Sequence, residues 1–226
     1  MKLTNLFIMF ALFVIICSFL TACTRVPSKI DGFKVGNKII NIPNPAGLIE
    51  MGNARTGLAP CVIPDNRLVA AYITPDDLKK LGSSPLTMET YAMVQVAKFW
   101  EDKEYTEEQF KADEKQMSTN LTKGDIKDLE KTLNGQAGKV GATAITLGMP
   151  VNMGCSFSQK DAFSWLVILP VSNNENTVTM AVSCSMVRIH GRVLFLYVYN
   201  RFDGKATVSN LTAIAHKWAD DVLKAN

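Results

Sequence analysis

The chain has 226 residues, 47% of them hydrophobic and 20% charged, with 24 basic side chains against 21 acidic ones. That length suits one large domain better than two small ones. The near balance of charge, with no basic stripe of interleaved aromatics and no acidic tail, excludes a nucleic-acid groove, so no nucleic-acid partner is expected.

The amino terminus opens with Lys2, runs through an oily stretch over residues 6–20 with Ser18 as its one plainly polar member, and closes on small residues. This is the three-part layout of an export signal. The run Leu20-Thr21-Ala22-Cys23 resembles the lipobox of bacterial lipoproteins. The resemblance implies a diacylglycerol on the Cys23 thiol, cleavage between Ala22 and Cys23, and an acyl chain such as palmitate on the new amino terminus. Thr24 in place of Asp then implies forwarding to the outer membrane, with the domain facing the periplasm. Each buried methylene contributes about 0.8 kcal/mol and one chain holds a protein only marginally, so two or three chains make the lasting anchor. An uncleaved spanning helix is the alternative. Residues 6–22 sit at the short end of the roughly 17–25 apolar positions a span needs, and the small residues beside Cys23 favour cleavage.

The chain thus divides into a signal peptide at 1–22, a lipidated cysteine with a Pro-, Gly-, Ser- and Lys-rich tether at 23–37, and a single α+β domain at 38–226. Within that domain, residues 38–43 read as a strand stopped by Pro43, and Asn44-Pro45-Ala46-Gly47 forces a turn before a helical stretch at 48–53. A loop through Pro60, Cys61 and Pro64 leads to a strand at 67–73. Thr74-Pro75-Asp76-Asp77 opens a short helix with a cap, a first-turn proline and acids near the positive dipole end, and Gly82 closes it.

Residues 90–99 read as a strand, and Thr106-Glu107-Glu108-Gln109 is a capping-box pattern. Residues 106–134 form two amphipathic helices broken near Thr122-Lys123-Gly124, with Phe110, Met117, Ile126, Leu129 and Leu133 inward. Strands follow at 139–149 and 163–169, separated by a Gly and Ser loop. Residues 177–187 alternate, with Val178, Met180, Val182, Cys184 and Met186 on one face and small polar residues on the other, either solvent-facing or covered by small-side-chain contacts. His190-Gly191 supplies a two-residue hairpin turn. The nearly all-apolar run at 193–199 predicts a central strand with both faces covered. Ser209 caps a last helix whose Leu211, Ile214, Ala215, Trp218 and Val222 form one stripe.

Together these predict an α+β fold, an αβα-type sandwich with a mainly antiparallel sheet and the C-terminal amphipathic helix packed on it. Ile42-Pro43-Asn44-Pro45-Ala46-Gly47, Asn66-Arg67-Leu68-Val69-Ala70 and the block from Gly191-Arg192-Val193-Leu194-Phe195 to Trp218 resemble proteobacterial envelope proteins of no assigned activity with a Mog1/PsbP-like fold. The resemblance rests on packing and turn signals. It implies a binding or assembly protein, and it brings no catalytic residue with it.

Motifs of catalysis are missing from the sequence: there is no G-x-S-x-G elbow, phosphate loop, H-E-x-x-H pair or paired C-x-x-C set. No catalytic residue, metal site or cofactor is expected. His190 and His216 read as exposed residues, and the carboxylates between Glu101 and Glu130, interleaved with lysines, read as a surface ion-pair face. Cys17 leaves with the signal, so Cys61, Cys155 and Cys184 remain beside the lipidated Cys23. Spacing alone does not select a disulfide pair. Cys184 sits on an apolar strand face as a core residue, which leaves Cys61 and Cys155 as the candidates for a bridge. Tyr197, Tyr199 and Trp218 are candidates for lining a pocket, with core packing as the competing reading.

The function these features support is a non-catalytic, lipid-anchored envelope protein that binds a protein partner or assists assembly or maintenance of a membrane complex. Its membrane contact is the lipid. The alternatives are a lipid-anchored periplasmic hydrolase, with Ser158, Asp161 or Ser164 beside a histidine, and a carrier with an apolar cavity behind the last helix.

Overall fold

The computed structural model describes residues 32–62, 65–79, 88–120, 146–148, 150–172 and 177–226. The signal and Cys23, the Gly82 helix stop, the helix break at Thr122-Lys123-Gly124 with Ile126, Leu129 and Leu133, and most of the 139–149 strand lie outside the described residues.

A small hairpin comes first. β1 (Phe33–Val35) and β2 (Lys38–Ile40) pair antiparallel across Gly36, whose φ of 56° suits a residue without Cβ. β1 falls inside the stretch read as tether, so strand structure starts earlier than Lys38. Three residues, of which only Val35 is fully buried, are too few to stand out in a Lys- and Gly-rich context.

The rest builds an eight-stranded sheet. In chain order it contains β3 (Ile49–Glu50), β4 (Asn66–Ile73), β5 (Thr90–Ala97), β6 (Thr146–Leu147), β7 (Val151–Gln159), β8 (Ala162–Ser172), β9 (Thr177–Ile189) and β10 (Arg192–Arg201). The spatial order is β3-β4-β5-β10-β9-β8-β6, with β7 beside β6 on the outer side of β8, and every pair is antiparallel. The apolar run of β10 therefore lies centrally, between β5 and β9, as its composition requires. His190 and Gly191 turn β9 into β10 with φ of 50° and 71°, the doubly positive turn that matches strand twist.

The helices are α1 (Pro75–Leu78), α2 (Glu107–Asn120) and α3 (Lys205–Lys224). Thr74 caps α1 by accepting the Asp77 amide at 3.1 Å. At α2 the capping box forms in both directions: the Gln109 amide donates to Thr106 Oγ1 at 3.2 Å and the Thr106 amide to Gln109 Oε1 at 2.9 Å. α3 lies across β9, β10 and β8, burying Leu211, Ala215, Trp218, Ala219 and Val222 against Leu194, Leu196 and Val198. Each such side chain gives about 1.5–3 kcal/mol on burial. On the opposite face, Met93, Met180, Val182, Cys184 and Tyr197 pack with Met51 and Leu58 of a 3-10 segment, Gly52–Cys61. Farther along that face, Phe110 of α2 packs with Phe163, Met186 and Val193. Helices on both faces of an antiparallel sheet make the αβα sandwich.

Three further elements differ from the sequence reading. The helix expected at 48–53 is instead β3 followed by the 3-10 segment, because edge pairing wins: the Met51 amide donates to Ala71 O at 2.8 Å. The Gly and Ser loop expected before residue 163 is strand β7, which takes its hydrogen bonds from β8 through two bulges around Gly154. α3 begins at Lys205, four residues before the expected Ser209 cap. Thr207, not Ser209, stabilises its start, accepting the Asp203 amide at 3.2 Å and donating to the Asp203 carboxylate, while Ser209 Oγ donates back to Lys205 O at 3.3 Å.

Candidate interaction surfaces

The three pocket candidates do not come together. Odd residues of β10 point to one face of the sheet, where Tyr199 stacks on Tyr91 at 4.4 Å and Tyr197 lies beside Cys184. Trp218 descends from α3 onto the other face, edge-on to Tyr72 at 5.5 Å, and its Nε1 donates to Pro43 O at 2.7 Å. The sheet itself separates them. Burial raises the Tyr197 hydroxyl and the Cys184 thiol well above their ordinary pKa ranges, so both stay protonated as core groups.

The candidate hydrolytic groups are likewise apart. Asp161 accepts Arg188 Nη2 at 2.6 Å, Ser164 is buried against Ser183 with 2.8 Å between the hydroxyls, and Ser158 donates to Glu114. His190 is the exposed turn residue, and the exposed His216 stacks on Phe157 with ring centroids 4.6 Å apart. Among the described residues, no three His, Cys, Asp or Glu side chains are placed to hold a metal ion. The acidic stretch is a surface ion-pair face over its described part, with Glu107 bonded to Lys111 at 2.6 Å. Cys155 is a free, exposed thiol whose pKa is raised by partial burial, while the Cys61 side chain lies outside the described residues. A cleft of about 240 Å³ opens at the start of α3, lined by Glu89, Asn200, Arg201, Asp203, Thr207 and Asn210; Arg201 faces Glu89 there at 3.4 Å. Its lining is mostly polar, and its one hydroxyl, that of Thr207, is spent on the Asp203 carboxylate at the start of α3.

Two surfaces stand out by exposed apolar side chains, and the sequence reading missed both. The first is the edge of the sheet. Among the described residues β7 pairs only with β8, so one side of its backbone is unpaired, and Val151 and Met153 are 56% and 53% exposed. The signal for this edge was present as alternation of Val151, Met153, Cys155 and Phe157, obscured by Gly154 and the serines.

The second is the tip of the sheet where residues 98–105 leave β5. Phe99 is 67% exposed, meets Trp100 edge-on at 5.2 Å, and has Lys103 Nζ 3.0 Å from its ring centroid. Beneath it two arginines fasten the β1-β2 hairpin. Arg67 Nε donates to both Glu101 oxygens at 3.1 Å and its Nη2 to Lys34 O at 2.9 Å. Arg192 Nη1 donates to Lys103 O and its Nη2 to Asn37 Oδ1, each at 2.8 Å.

Hydrogen bonding from Arg67 holds the Glu101 carboxyl below its ordinary pKa. A depressed carboxyl stabilises the fold above the ordinary glutamate range of about 4.3, and that contribution is lost as pH falls through the lowered folded value. Glu101→Gln should therefore lower the urea midpoint at pH 7, and the gap from the parent should close as acid protonates the parent's Glu101. A gap unchanged down to pH 3 would show that the ion pair is not its source.

No protein-family model and no curated protein matches the chain. Among solved structures, a mutant of the protein Mog1 is similar at 11% identity over 80% of this chain and 86% of that one, with a TM-score of 0.33. The Saccharomyces cerevisiae Ran-binding protein Mog1p is similar at 11% identity over the same shares, with a TM-score of 0.30. Similarity at this level carries no information about what this chain binds.

Proposed function

We propose that this chain is a non-catalytic lipoprotein of the bacterial envelope, anchored through Cys23 in the outer membrane and facing the periplasm, that binds a protein partner in the assembly or maintenance of a membrane complex. Support for the anchor is the lipobox resemblance at residues 20–23. The single observation that carries partner binding is the β7 edge, where exposed Val151 and Met153 accompany a backbone side that has no strand partner among the described residues. Soluble proteins usually protect such edges with charge, proline or cover, and an extended segment of a partner adds to them as a further strand. Here the bulges flanking Gly154 twist the edge, which favours one fitted strand over indiscriminate pairing.

Photo-crosslinking in cells tests the partner. A crosslinkable residue at Val151 should give a discrete protein adduct, one at the exposed Asn210 should not, and Met153→Lys should abolish the Val151 adduct while thermal unfolding changes little. No adduct, or equal adducts at both positions, would overturn the edge as the binding surface. Intact mass of the envelope-extracted chain tests the anchor: it should begin at Cys23 and carry diacylglycerol, whereas Cys23→Ser should remain unmodified and uncleaved with its domain folded.

A further inference from the structure

We propose that the tip formed by the β1-β2 hairpin and residues 98–105 rests on the surface of the phospholipid bilayer that holds the anchor, so that the domain is oriented on the membrane and does not swing freely from it. This rests on the Cys23 anchor.

Four observations converge on the tip. Its apolar side chains are the most exposed large ones among the described residues: Phe99 at 67% and Ile39 at 57%. The hairpin and the loop that carry them are bonded together: Ile39 pairs with Lys34 across the hairpin, the Lys34 carbonyl accepts from Arg67, and Arg67 holds Glu101 two residues from Phe99. The surrounding charge is complementary to anionic headgroups: exposed Lys34, Lys38, Lys98 and Lys103 outnumber exposed Asp65, Asp102 and Glu104, and Glu101 is neutralised by Arg67. Finally, the described chain enters the domain at this hairpin. Cys23 lies ten positions before Phe33, and ten extended residues span at most about 35 Å, so the hairpin is within that reach of the lipidated cysteine.

The chemistry fits an interface. An aromatic ring with lysine ammonium groups around it places an apolar body among acyl chains and keeps its charges at the phosphates. The attachment matters too, since the Arg67 and Arg192 bonds fix the hairpin to the 98–105 loop. In this orientation β7 is an edge that runs away from the membrane. Its carboxyl end, Gln159, lies near the tip strands, whereas Val151 lies at the opposite end of the sheet, open to a periplasmic partner.

The test uses the full lipidated chain in vesicles of phosphatidylethanolamine with phosphatidylglycerol. An environment-sensitive fluorophore is placed at Phe99→Cys or, as the control at the far end, at Asn210→Cys, both in a C61S/C155S background. Nitroxide lipids should quench the label at 99 and leave that at 210 unquenched, and omission of phosphatidylglycerol or the change K34Q/K38Q/K98Q/K103Q should reduce the quenching while the protein still sediments with the vesicles. Sedimentation without quenching at 99, or quenching equal at 99 and 210, would overturn the docked tip and leave the anchor standing. Failure to sediment would overturn both. A protein crosslink from position 99 in cells, without lipid quenching, would assign the tip to a protein partner and overturn the proposal.

Discussion

Trp218→Ala is expected to destabilise the domain by about 3–5 kcal/mol, the range for removing a buried large aromatic side chain from a core. Trp218 is buried beneath α3, and its ring meets Tyr72 edge-on while its Nε1 donates to Pro43 O at 2.7 Å. Truncation leaves a cavity between α3 and β4 and strands the Pro43 carbonyl. It also removes one of the ties between the segment after β2 and the last helix, leaving those of Asn41 to Ala225 and Asn226. Against a total of about 5–15 kcal/mol this is a large fraction, and the thermal midpoint should fall by about 10 °C. Trp218→Phe, which keeps a ring and loses the donor, should cost only about 1 kcal/mol more than its change in packing. Urea unfolding of both variants checks the result. A Trp218→Ala cost near zero would mean that α3 is not seated on the sheet as described.

The second large effect concerns the small face of β9. Ala181, Ser183 and Ser185 are completely buried beneath α3, and Ser183 Oγ lies 2.8 Å from Ser164 Oγ. Ser183→Leu adds two heavy atoms where the helix approaches closely and removes the hydroxyl beside Ser164, which still donates to Cys184 O at 3.1 Å. Overpacking of this kind costs about 1–3 kcal/mol. The expected result is a large drop in the urea midpoint for Ser183→Leu and a small one for Ser183→Ala. Equal midpoints for Ser183→Leu and the parent would place that face in solvent.

These two variants also mark where sequence reasoning reached and where it stopped. Trp218, Leu211, Ala215 and Val222 were legible as a buried stripe, because helical spacing of apolar residues has one physical reading whatever lies opposite. The face of β9 was not. Alternating Thr, Ala and Ser suits either water or a closely approaching helix, and only the cross-strand partners Val198 and Leu196, facing α3, show which it is. Phe195, Tyr197 and Tyr199 look in the chain like company for Trp218, yet strand parity sends them to the far side of the sheet. β7 reads locally as a loop because Gly154 and its serines are poor strand formers, and its hydrogen bonds come from β8. Neither Val151 nor Phe99 could be recognised as exposed from composition, since an apolar residue is ordinarily taken for core.

What local chemistry decides could be read from the chain alone: the caps at Thr74 and Thr106, the His190-Gly191 turn, the amphipathic last helix and the central apolar strand. Each depends on residues a few positions apart, whose bonds or periodicity form in one way. Only the tertiary structure decided the strand order, which face of β9 lies under α3, the separation of Trp218 from Tyr197 and Tyr199, and the exposure of the β7 edge and the Phe99 tip. Those follow from pairing between segments far apart in the chain, where register and cover are set by partners that no local window contains.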